Sequence, residues 1–591
     1  MHLKCHRRFK DGKEHRYWSI VESRRCSGAR IVQRHVLYLG EINDSQKETW
    51  LKGIEVFDAN SQQQVRLALF PADRAVPEHA AHFGVQVQLR DFFIRHPRQW
   101  GACWLFLELW RELQLDRFWK ERLPDSREGT CWAHVLTVLC AYRLISPGSE
   151  WRLHREWFDK SAMADLLGED FALAAKDTLY RCLDKLLAHK EALFGFLKER
   201  WQGLFGIAYD VLLYDLTSTY FESDPPFPEQ DKRYSRDKRF DCVQVVIALV
   251  VTPEGFPLAY EVLPGNTADK TTLKIFLEKI ESLYGKARRI WVMDRGIPTE
   301  EVLTQMRQSD PPILYIVGTP KGRLSKLESQ LVDKPWQEVR AGVQVKLLPD
   351  SGERYILAQS LDRVNKERAM RRRQLKWLWG RLKELREMKK LTRDGLLLKL
   401  GAAHQRSPSA WRLVALRLPN ATEELSPDTF TYRLRKKKLR QVRRREGRYL
   451  LRTNLSEEDP GKAWQFYMQL SQVEEAFKNL KGDLSVRPIY HQLEHRIEAH
   501  IFVSFLAYCA HVSLREKARR LAPGLTARSV LEKMGTMQML DVHFPTTDGR
   551  ELIFRRYTQP EADQKLLLEQ LKLTLPEQSP PRLNAKQELE M

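Results

Sequence analysis

At 591 residues the chain is too long for one compact core, so several domains are expected. Hydrophobic residues at 43% and aromatics at 10% exclude a disordered polymer. The 98 Lys and Arg exceed the 77 Asp and Glu, giving a net charge of +21 and a pI near 9.5, and this points to a polyanionic partner bound through counterion release.

The eight cysteines show no Cys-x-x-Cys pairing, which argues against a zinc site and a disulfide framework and fits reduced thiols in a cytoplasmic setting. The start, MHLKCHRRFKDGKEHRYW, is basic but lacks the apolar core of a signal peptide.

Residues 16–40 read as two short strands around Ser27-Gly28, within a small N-terminal β-hairpin region assigned to 1–85. From 86 to 206 the apolar period becomes helical, broken by the turn Pro147-Gly148-Ser149, and a DNA-recognising or packing domain is expected there. A strand-rich block follows over 207–320. Its strands are Asp210–Leu216, Cys242–Thr252, Pro257–Leu263, Arg289–Asp294 and Ile313–Val317, with helices at Lys270–Tyr284 and Pro298–Arg307. Three meandering strands, a helix and further strands make the order of a ribonuclease-H-like fold. The expected class is α/β and multi-domain: a ribonuclease-H-like catalytic core with a β-rich and basic-helix insertion, preceded by a helical DNA-binding domain.

The insertion spans 321–460. Its early part looks β-rich and its middle is a long basic helix with a seam at Leu375, Leu378, Leu382 and Leu385. A second basic burst, Arg433 to Arg448, precedes a strand at Tyr449–Asn454. The core resumes over 461–555, where Ile497–Leu514 reads as a buried helix because Glu498, His500 and His511 interrupt it. Residues 556–591 read as a polar tail, disordered at its end.

Asp215 and Asp294 each end an apolar strand, which sets a carboxylate at a sheet edge where a cation can reach it. Either alone reads equally as a cap or turn residue. The strand order, however, puts the two ends side by side. In YMQLSQVEEAFKNLK (467–481), positions seven apart fall on one helical face, so Tyr467, Leu470, Glu474 and Lys481 align on a single helix. Glu475, about 100° round, is the rival carboxylate. Three hard oxygen ligands suit Mg²⁺ or Mn²⁺, and phosphodiester cleavage uses two such ions about 3.5–4 Å apart.

These strings resemble the DDE transposases of the IS4 superfamily, most closely the IS1634 group. YDLTSTYFE (214–222), YSRDKRFDCVQVVIALVVTPEGFPLAYEVLPGNTAD (234–269), WVMDRGIP (291–298) and the segment 467–501 carry the likeness in order. The family's last motif is Tyr, two residues, Arg, three residues, Glu, six residues, Lys. Tyr467, Glu474 and Lys481 fit it, and Leu470 stands where the Arg belongs.

The resemblance implies Asp215, Asp294 and Glu474 as catalytic metal ligands, and Tyr467 and Lys481 as phosphate-positioning groups. Lys238, Arg239, Asn266 and Arg295 are further candidates for DNA contact, and Arg487 or Arg496 for the missing Arg. It also implies cut-and-paste transposition of an insertion sequence, through strand cleavage and 3′-hydroxyl transfer. The partners would be the element's terminal inverted repeats and target DNA, bound by a homodimer at the bacterial nucleoid with no membrane. The alternative is a catalytically inactive, sequence-specific DNA-binding relic or repressor with the same fold.

Overall fold

The computed structural model describes residues 2–10, 13–25, 31–41, 53–73, 75–76, 78–220, 244–265, 267, 269–285, 288–319, 327, 334–350, 352–388, 391–420, 423, 426, 428–456 and 459–584. Lys238, Arg239, Cys242 and Asn266 lie outside them.

The N-terminal strands are β1 (His2–Lys10), β2 (Lys13–Arg25), β3 (Ile31–Glu41), β4 (Gly53–Asp58), β5 (Gln63–Pro71), β6 (Gly84–Val87) and β7 (Phe93–Gln99). The central strands are β8 (Val211–Tyr220), β9 (Gln244–Val251), β10 (Pro257–Pro264), β11 (Ile290–Met293), β12 (Leu314–Thr319), β13 (Gln337–Arg340), β14 (Val343–Asp350) and β15 (Glu353–Ser360). Beyond them come β16 (Val414–Arg417), β17 (Thr431–Leu434), β18 (Arg448–Thr453), β19 (Gln538–Pro545), β20 (Glu551–Tyr557) and β21 (Arg582–Asn584).

A nine-stranded sheet, ordered β10-β9-β8-β11-β12-β18-β15-β14-β13, organises the molecule. Its first three strands are antiparallel neighbours, and β11 runs parallel to both β8 and β12. The runs VLLYDL, QVVIALVV and IWVM are apolar on both faces because helices cover both sides of these strands. The insertion does not leave the sheet: β18 pairs antiparallel with β12 on one side and with β15 on the other. The long basic helix, Leu361–Glu387, folds over a separate small core. There Leu378, Leu382 and Leu385 meet Leu396, Leu400, Val414 and Phe430.

The helical segment 101–205 shares one hydrophobic core with the sheet. The helix Glu494–Leu521 packs against Trp132–Ile145 and Lys176–Leu186. Among the described residues this is the one helix long and apolar enough to cross a membrane, and 94% of its apolar window is buried inside the protein.

Two differences from the sequence reading stand out. The segment 467–481 is not one helix: Pro460–Met468 and Leu470–Lys481 are separated at Gln469, whose φ of −67° and ψ of −14° belong to the turn that ends the first helix. The stretch read as a polar tail contains the helix Ala562–Leu571 and strand β21, which joins β4 to β20 in a seven-stranded sheet, β6-β5-β4-β21-β20-β19-β7. Local polarity conceals such a strand, because its place is set by pairing with β20 and with β4, the latter more than 500 residues away.

Candidate active site

The register of β11 on β8 pairs Ile290 with Val211 and Met293 with Tyr214. The next step sets Asp294 beside Asp215. Side chains alternate along a strand, so Asp215 faces away from Tyr214, whose hydroxyl donates to Thr272 at 2.8 Å on the helix Asp269–Tyr284. Asp215 Oδ1 also accepts from the Leu216 amide at 2.8 Å.

A cavity of about 360 Å³ opens next to this edge, lined by Asp294, Arg295, Gly318, Thr319, Arg363, Arg448, Tyr449, Tyr467, Leu470, Ser471 and Glu474 among others. Glu474 is exposed on the helix Leu470–Lys481, which packs over β8 through Val473, Ala476, Phe477 and Leu480. Three regions far apart in sequence thus converge on one wall. The rival Glu475 turns away to pair with Arg515 at 3.3 Å.

Tyr467 holds Asp294 in place: its hydroxyl donates to Oδ1 at 3.2 Å. Burial, with Asp294 adding to it, pushes the Tyr467 phenol well above its ordinary range, so the group stays a donor. Tyr449 lies 6.5 Å away, ring to ring, and accepts a 2.6 Å hydrogen bond from Trp464 Nε1.

Leu470 lines the cavity and is only 8% exposed, so this position supplies no charge. Three arginines from other elements supply it instead. Arg295 follows β11, Arg363 lies in the first turn of the long basic helix, and Arg448 begins β18. Arg363 lies 4.9 Å over the Tyr449 ring, and Arg448 Nε donates to Gln359 at 3.1 Å. Sequence reasoning named Arg295 as a candidate for DNA contact, but had no reason to bring Arg363 and Arg448 to the acids. Arg496, one candidate substitute, is committed elsewhere: it grips Asp184 through bonds of 2.7 and 2.8 Å. Arg487 and Lys481 are not among the described residues lining the cavity.

The donor set, carboxylate oxygens only, suits a hard divalent cation. Asp294 follows the end of β11 and is exposed, but β8 runs on to Tyr220, so Asp215 lies mid-strand and does not end its strand as the apolar run implied. Among the described residues, the sets with metal-ligand atoms all within 4.8 Å of one another are Cys131/His134/Glu169 and Glu150/His491/His500. The three acids are not such a set: Asp294 and Glu474 line one cavity, and the β11–β8 register sets Asp215 beside Asp294.

Residues 207–510, just over half of the chain, match the transposase DDE domain family. The chain belongs to that family. No curated protein matches it. Two solved structures resemble it distantly. The piggyBac transposase synaptic complex with hairpin DNA has 8% identity over 73% of this chain and 78% of that one, with a TM-score of 0.34. The Drosophila P element transposase strand transfer complex has 14% identity over 67% of this chain and 98% of that one, with a TM-score of 0.22. Likenesses this loose carry no argument about the present chain. The matched residues include all three acids and the residues named around the cavity.

Proposed function

We propose that the chain is an insertion-sequence transposase of the IS4 superfamily, IS1634 group, built on a ribonuclease-H-like core. Its reaction would be cut-and-paste transposition. The carrying observation is the β8–β11 register, which sets Asp215 beside Asp294 while Glu474 lines the same cavity as Asp294. The strand order β10-β9-β8-β11-β12 supports the fold assignment.

Asp215, Asp294 and Glu474 would hold Mg²⁺ or Mn²⁺, two ions when loaded. The bound ions supply a lowered pKa for the attacking water and charge neutralisation at the departing 3′ oxygen. Tyr467 fixes the rotamer of Asp294 through its hydroxyl. Arg295, Arg363 and Arg448 face the cavity with guanidinium groups suited to phosphate oxygens, and Lys481 adds a point charge near the end of its helix. Water attacks a phosphodiester at the element's end, a P–O bond forms, the bond to the 3′ oxygen breaks, and a 3′ hydroxyl is left. That hydroxyl then attacks target DNA in line. One phosphodiester replaces another, so no ATP is needed. A homodimer acting at the nucleoid would hold two ends together.

The test is an assay on a duplex bearing the element's terminal repeat. Mg²⁺-dependent nicking that disappears in Glu474→Gln while DNA binding persists supports the reading. Binding by the wild type with no scission in any divalent ion favours the inactive, DNA-binding relic.

A further inference from the structure

In the helical segment, two loops bring three metal-ligand side chains together, with Asp125 near them. Asp125 and Cys131 stand at the two mouths of a closed turn. In that turn the Ser126 amide donates to the Thr130 carbonyl at 2.9 Å, the Thr130 amide to Ser126 Oγ at 2.9 Å, and the Gly129 amide to the Ser126 carbonyl at 3.0 Å. Cys131 then caps the helix Trp132–Ile145, and His134 lies in its first turn. From the other side, Gly168 ends a short helix at φ +69°, a left-handed conformation that swings Glu169 back. The Glu169 carboxylate reaches His134 Nδ1 at 2.6 Å.

The ligand atoms of Cys131, His134 and Glu169 all lie within 4.8 Å of one another. Asp125 lies near the Cys131 thiol but outside that set. Among the described residues no Lys or Arg pairs with Asp125 or Glu169, although the chain carries 98 such cations. A carboxylate meeting a thiol and an imidazole, with a second carboxylate nearby and no Lys or Arg partner, leaves a half-exposed cluster that a cation would balance. One sulfur, one nitrogen and one oxygen make a borderline donor set, with a fourth position open to water. It fits tetrahedral Zn²⁺ and fits Mg²⁺ poorly.

We propose that Cys131, His134 and Glu169, with Asp125 nearby, form a site for one zinc-class divalent cation, which staples the 124–131 turn to the 168–170 loop. On binding, the Cys131 thiol gives its proton to solvent and a sulfur–metal bond forms, while neutral His134 offers Nδ1. The Cys-x-x-Cys pattern misses this site because it uses a single thiol.

The experiment titrates the metal-free full-length chain with Co²⁺ and follows the thiolate-to-cobalt charge-transfer band. The acids of the active site contain no sulfur, so the band cannot come from them, and Cys131→Ser separates this thiol from the seven other cysteines. One equivalent should saturate it, Cys131→Ser should abolish it, and Asp215→Asn should leave it unchanged. His134→Ala, which keeps the thiol, should weaken Kd at least about tenfold and covers the case in which Cys131→Ser fails to fold. No band in the wild type, a band that survives Cys131→Ser, or an unchanged Kd in His134→Ala would overturn the proposal.

Discussion

Tyr467 donates its hydroxyl hydrogen to Asp294 Oδ1 at 3.2 Å, and the space that admits the phenol exists because residue 318 has no side chain. A Cβ on Gly318 would lie 2.6 Å from the Tyr467 hydroxyl and 3.1 Å from the Arg295 amide nitrogen. Gly318→Ala therefore has to displace one or both. Expected is a loss of DNA cleavage of about 10²-fold, from misplaced catalytic groups, with a stability cost of about 1–3 kcal/mol from overpacking. Single-turnover nicking rates beside a denaturant melt check it. Tyr467→Phe should lose activity with little change in stability, since the ring remains.

Arg295, Arg363 and Arg448 predict a salt signature. If each meets one phosphate, replacing any one by Gln should weaken DNA binding about uniformly across sequences and reduce the slope of log K against log salt by about 1. Arg496→Gln should leave that slope unchanged, because its guanidinium is occupied by Asp184. Binding isotherms at several salt concentrations separate the two classes.

Two buried histidines make the fold acid-sensitive. His500 is held down to about 4 by burial and then by the Arg143 charge, and His511 to about 4 by burial and then by Arg515. Both folded pKa values lie below the unfolded value of 6.5. In the window between about 4 and 6.5 the unfolded chain therefore binds more protons than the folded one. Stability should be full above that window and fall as pH drops through it, by about 1.4 kcal/mol per pH unit for each group. Urea melts at pH 7 and pH 5 check the sign: the midpoint should be lower at pH 5. His511→Gln should make that pH dependence shallower.

Much of the site could be read from the sequence, because its strands carry their own signal. The runs ending in Asp215 and Asp294 are apolar on both faces, and β8, β9, β10 and β11 form where those runs predict. Helical angle favoured Glu474 over Glu475 and the family motif chose it, and Glu475 pairs with Arg515. The rest depended on long-range pairing. Arg448 reaches the cavity only because β18, more than 100 residues after β12, pairs with it, and Arg363 only because the long helix starts at the end of β15 beside β18. The break at Gln469 escaped because the helical period runs straight through it, and no Gly or Pro marks the joint.

The central claim is that Asp215, Asp294 and Glu474 share divalent ions. Its most direct test replaces Mg²⁺ by Fe²⁺ in the DNA-bound protein, adds ascorbate and peroxide, and maps where the polypeptide is cut by the radicals released at the ion. Scission beside all three acids, lost when excess Mg²⁺ competes and lost in Asp294→Asn, is the expected result. Cuts that spare Asp215, Asp294 and Glu474 while the iron remains bound would contradict it.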